Sequence, residues 1–219
     1  MLTGTRRDPQ EVIAIVPPNM APVTIEKVAI NAVMAGCRPE YLPVVIAAVE
    51  AMCTESFNIH GVMATTMGCS PVVVVNGPIR HRIGMNMEIG VLGHGHRANA
   101  TIGHAVMLVI RNVGGARPGG TERSTIGTPM KYGLAFAEWE ERSPWEPLHV
   151  ARGFRPEQSV VTLFGMRSGP QSMIFQTSRT AKELAGLWGQ HMSIVGSGQD
   201  VLFVIAPENS DTLRHDGWS

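Results

Sequence analysis

Apolar residues recur along this chain in two rhythms, and each rhythm predicts a kind of element. Pro71-Val72-Val73-Val74-Val75 is a continuous, mostly β-branched run, the pattern of a strand buried on both faces. Asn76-Gly77-Pro78 ends it with a turn signal. Ile102, Ala105, Val106, Val109, Ile110 and Val113 fall on one face of a helix, with Asn99 as its expected N-cap and Gly114-Gly115 as its end. Two more helices are predicted upstream. One opens at Thr24, places Glu26 in its first turn, is apolar on nearly every side from Val28 to Met34, and stops at Gly36. The other begins around Pro39 and runs through residues 44–52, with Pro43 either in its first turn or at a kink. Helices joined by so few residues should pack as a hairpin.

The second half is less regular. Residues 114–131 read as a long loop rich in glycine, proline and threonine, a length often tied to function. Residues 133–141 fit no single pattern. Strands are expected at 159–164 and 171–175, as a hairpin around Arg167-Ser168-Gly169-Pro170. A helix should start at Ser178 or Thr180 and end near Gln190. A last buried strand is expected at 201–205, stopped by Pro207. Strands interleaved with helices give an α/β fold: a mixed sheet with flanking helices, in a single domain over 21–219 after an N-terminal arm at 1–20.

Composition narrows the classes. Hydrophobic residues make up 44% of 219, too many for a disordered chain. Lys+Arg and Asp+Glu each number 18. That balance argues against nucleic acid as the main partner and leaves little repulsion between copies, so a homo-oligomer or a partner subunit is in view. No apolar run approaches a membrane span, so no membrane partner is expected. Residues 1–10 carry Arg6, Arg7 and Asp8, and the apolar run behind them is too short for a secretory signal. The 3 cysteines have no paired spacing, which points to a reducing, cytoplasmic compartment rather than a disulfide framework.

Four groups carry candidate chemistry. Gly90, Gly93 and Gly95 precede the helix expected at Asn99. Glycines allow close backbone approach, and first-turn N–H groups attract anions, so Gly93, Gly95, Arg97 and Asn99 are candidate ligands for a carboxylate or phosphate. The same glycines equally serve a tight turn. Residues 93–98 match the letters of a dinucleotide fingerprint, but they follow a weak strand and lack the later acidic residue. His94, His96 and His104 form the second group, a candidate set for a divalent metal such as zinc, which Cys69, Glu88 or Glu138 would complete.

Cys37 is the third. A cation beside it, Arg38, and a helix start just beyond favour thiolate and hence a nucleophile, whereas burial would do the opposite. Glu138 and Glu140 are the fourth, beside Trp139 in an acidic stretch that includes Glu141 and Glu146. A buried carboxyl beside an indole is suited to general acid or base work; a solvated acidic edge is the other reading. Asn76 joins them as a substrate ligand, because α/β sheets bind ligands at the carboxyl ends of their strands.

Four stretches together resemble a known group: residues 31–41 around Ala35-Gly36-Cys37-Arg38-Pro39, then Val75-Asn76-Gly77-Pro78, then Arg97-Ala98-Asn99-Ala100-Thr101-Ile102-Gly103, then residues 138–145. They resemble a bacterial family labelled UGSC-type (seleno)protein, or thiol–disulfide oxidoreductase-like, over residues 24–218. The resemblance implies an enzyme without naming a substrate, and it implies a chain continuing past Ser219. The tetrapeptide behind the label is absent here. Three readings stay open. One is an enzyme acting on a small anionic substrate, with Cys37 as nucleophile and Glu138 or Glu140 as acid or base. The others are a metal-dependent lyase or hydrolase using the histidines, and a non-catalytic subunit of a larger complex.

Overall fold

The computed structural model describes residues 1–167, 178–195 and 200–218. They fall into two compact units, one of residues 1–139 and 147–169, the other of residues 140–146 and 170–219. The expected strand at 171–175 and the turn at 168–170 lie outside the described residues.

The first unit holds the mixed sheet with flanking helices that the sequence predicts. β3 (Ser70–Asn76) is its middle strand, buried at every position. β4 (Leu134–Ala137) runs parallel to it on one side and β5 (Val160–Met166) antiparallel on the other. Burial on both faces explains the unbroken valine run, since neither face needs polar residues. Val73, Val75, Ala135 and Ala137 face a core built with α1 (Ile25–Ala35), α2 (Leu42–Met52) and α5 (Arg97–Asn112). Val72, Val74 and Phe136 face a smaller cluster with Met130, Val91 and Leu148. Short helices α3 (Ile59–Met63), α4 (Ile79–Arg82) and α6 (Leu148–Ala151) fill the connections.

Capping chemistry sets the helix ends. Thr24 Oγ1 accepts from Lys27 N–H, and Gly36 closes α1 with a φ of 86°, a conformation that suits glycine. Pro39 starts a single 3-10 turn, and Pro43 lies in the first turn of α2 without kinking it. The N-terminal segment, read as an arm, packs onto the rest of this unit. β1 (Val12–Val16) pairs antiparallel with β2 (Ala21–Thr24), Val16 is fully buried, and Arg7 bridges Glu11 and Glu50 of α2.

Two expectations are corrected, and one stretch left open is resolved. Asn99 does not cap α5; the helix begins at Arg97 with His96 as its N-cap. The ambiguous 133–141 stretch contains strand β4, whose pairing with β3 continues in the bond from Glu138 N–H to Val75 O. Residues 201–205 form no strand. They are partly exposed, Phe203 packs its ring against Trp188, and Pro207 opens a helix instead of ending a strand. An apolar run of that length has no sheet edge to join among the described residues of its unit.

That second unit comprises α7 (Ala181–Val195) and α8 (Pro207–His215), packed through Ala181, Leu184 and Leu213. Thr180 and Glu183 cap α7 reciprocally: Glu183 N–H donates to Thr180 Oγ1, and Thr180 N–H to Glu183 Oε2. Among the described residues, no helix is long and apolar enough to cross a membrane.

Candidate active site at the carboxyl ends of two parallel strands

Parallel pairing brings the ends of β3 and β4 to the same edge of the sheet. Val75 is in register with Ala137, so Asn76 and Glu138, one residue further along each strand, emerge side by side. Asn76 is fully buried and donates from Nδ2 to Glu138 Oε2 at 2.7 Å. The backbone N–H of Leu148, first residue of α6, donates to the same oxygen at 2.9 Å. Both bonds fall on Oε2; Oε1 of this half-buried carboxylate accepts from none of the described residues.

Arg80 organises the backbone around this pair. Its side chain is only 3% exposed, a costly place for a cation unless its N–H groups are satisfied. Nε donates to Gly77 O at 2.9 Å and Nη1 to Glu138 O at 2.8 Å, tying the turn after β3 to the end of β4. Ser159 Oγ, just before β5, accepts from Ile79 N–H. Sequence reading missed Arg80. It stands in an Arg-His-Arg run that reads as a solvated surface, and only the fold turns its first member inward.

The residues chosen for an anion cradle are placed differently. Residues 92–97 are all exposed, so Gly93, His94, Gly95, His96 and Arg97 lie at the surface. Arg97 Nε donates to Gly36 O, capping the end of α1. Asn99 is buried and committed: its Oδ1 accepts from Asn86 N–H, and its Nδ2 donates to the carbonyls of Asn86 and Val91. It fastens the loop that leads into α5.

The histidine set is not assembled. His104 Nδ1 lies 2.7 Å from Tyr132 O, and among the described residues no three His, Cys, Asp or Glu side chains come close enough to hold a metal ion. Two histidines spaced by one glycine in an exposed loop need not converge. Neither Cys69, Glu88 nor Glu138 completes such a group.

Cys37 is 7% exposed, with Sγ donating to Thr101 O at 3.4 Å. Burial pushes its thiol pKa up, and the opposing effects of that hydrogen bond and of Arg97 are too small to reverse it. This environment counts against a thiolate nucleophile. Cys53 is pushed up to about 11 by burial alone, and all three cysteines are free. Glu140 belongs to the second unit.

One polar pair went unnoticed in the sequence. Lys131 Nζ reaches Glu122 Oε2, both side chains largely buried, and Ser124 N–H donates to Glu122 Oε1. This pair tethers the long loop, as do the bonds from Thr125, Ser124 and Thr128 to the carbonyls of Thr66, Met67 and Gly68. Searches against family models, curated proteins and solved structures found no match for this chain.

Proposed function

We propose that the chain is a small-molecule enzyme in which Glu138 moves a proton to and from a substrate seated at the carboxyl ends of β3 and β4. The observation that carries this reading is the clamp on Glu138 Oε2 by Asn76 and the Leu148 amide. Two N–H donors fix the carboxylate plane and leave Oε1 as the oxygen that meets a substrate. This location is also where α/β sheets gather ligands. In the forward step Oε1 takes a proton from carbon beside a carbonyl, and the bonding electrons move onto the carbonyl oxygen as an enolate. The carboxyl exchanges this proton with solvent, and in the return step Oε1 gives a proton back to carbon as the carbonyl re-forms. Arg80 acts as a positioning residue, because it holds the backbone of Glu138 and Gly77.

The burial of Cys37 favours this carboxylate over a thiol as the reacting group. The exposure of residues 92–97 likewise favours the strand ends over the glycine segment as the binding place.

The test is solvent exchange. The protein is incubated in D2O with a panel of small carbonyl and hydroxy acids, and deuterium uptake at carbon is read by mass spectrometry. At least one compound should gain deuterium with the wild type and none with Glu138→Gln, whose melting temperature should stay close to wild type. Equal uptake with both proteins, or none with the wild type across the panel, contradicts the proposal.

A further inference from the structure

Helix α1 has two hydrophobic faces, and the first unit covers only one of them. Ile25, Val28, Ala29 and Ala32 are buried in the core at helical spacing. On the other side Ile30, Val33 and Met34 are 52%, 58% and 62% exposed. Single exposed apolar residues are ordinary, but three large ones at i, i+3 and i+4 form a continuous stripe. A groove of about 320 Å³ runs beside it, lined by Ala21, Lys27, Ile30, Asn31, Asn112 and Val113. The stripe is bounded by opposite charges: exposed Glu26 in the first turn, and exposed Arg38 just past Gly36.

The geometry points to a second copy of this chain as the occupant, with α1 packed antiparallel on α1 of the other copy about a two-fold axis. The register follows from the positions. An axis at the level of Ala32 sets Ile30 against Met34 of the second copy, and the same axis turns the acidic first turn of each helix, with Glu26, toward the basic end of the other, with Arg38 just past Gly36. One symmetry operation therefore satisfies the apolar stripe and both charged ends. That is the self-complementarity an isologous interface requires. A parallel arrangement would bring like charges together. The adjoining groove offers a hole for the flexible Met34 thioether of the other copy. With 18 basic and 18 acidic residues, no net charge opposes the approach.

The test is the solution mass of the full chain by sedimentation, over a roughly hundredfold concentration range. Wild type should give twice the 23.6 kDa chain mass at the upper end. Met34→Glu should give a monomer with an unchanged circular dichroism spectrum, since this side chain is already in solvent in the single chain. Glu26→Arg or Arg38→Glu alone should raise the dissociation constant roughly tenfold, because two equivalent pairs turn repulsive. The two reversals combined should restore it. Should Met34→Glu misfold, mixing Ile30→Cys with Met34→Cys chains should give a disulfide between copies. A wild type that stays monomeric overturns the proposal. So does a dimer indifferent to Met34→Glu, or a combined reversal that restores nothing.

Discussion

Cys37 and Glu138 show how surroundings decide which group is left accessible for chemistry. Both are candidates by residue type, yet the thiol is buried against Thr101 O, while one oxygen of the carboxylate accepts from none of the described residues. The raised thiol pKa makes a direct prediction. Alkylation of Cys37 by iodoacetamide, followed against pH by peptide mass spectrometry, should show a midpoint above the ~8.5 of a free cysteine. A midpoint at or below that value would return Cys37 to the list of nucleophiles. Asn99 teaches the same lesson for a neutral group. Its type suggested a cap or a ligand, and its bonds to the backbone of Asn86 and Val91 make it a loop fastener. Those partners lie 8 and 13 residues away, at distances no local motif encodes.

At the scale of elements, legibility tracked how local the cause was. Thr24, Gly36 and the valine run act on their immediate neighbours, so α1 and β3 were readable from the chain alone. β4 was not, because four residues carry too little periodicity and their burial comes from pairing with β3. The site divided the same way. Asn76 and Glu138 were named separately, but their meeting at 2.7 Å depends on parallel pairing across 62 residues. Arg80 went unnamed because its burial is wholly a tertiary effect.

Gly103 is an element-scale case where propensity gives the wrong sign. Alanine in mid-helix normally gains up to about 1 kcal/mol over glycine. Here a Cβ would sit 2.6 Å from Leu134 N and 2.9 Å from Gly133 C, backbone atoms that cannot step aside. Gly103→Ala should therefore destabilise, by roughly 1–3 kcal/mol, as overpacking does; urea unfolding checks it, and a gain in stability would show that α5 and β4 can move apart. The Glu122–Lys131 pair makes a pH prediction. Burial raises the carboxyl pKa, but the bonds from Lys131 and Ser124 outweigh it and the net shift is downward. A carboxyl lowered on folding contributes stability above its unfolded value near 4.5, and that contribution fades as pH falls through the folded value. Glu122→Gln should flatten the fall in stability between the unfolded value near 4.5 and the lower folded value. It should also cost about 3 kcal/mol at neutral pH, because it leaves the Lys131 cation buried without its partner. An unchanged acid limb would mean the pair contributes nothing to the pH response.

For the whole molecule, the sheet divides the labour. Its carboxyl edge gathers Asn76, Glu138 and Arg80, while one face is covered by α1, α2 and α5. The outer side of α1 is exposed at Ile30, Val33 and Met34, so the proposed interface and the proposed site rest on different residues and can fail independently. The most direct test of the central claim is a crystal structure with a compound that exchanges deuterium in the presence of the wild type. The account predicts that compound at the carboxyl ends of β3 and β4, with a polar or acidic C–H position facing Glu138 Oε1. A compound bound instead over residues 92–97, with Glu138 untouched, would contradict it.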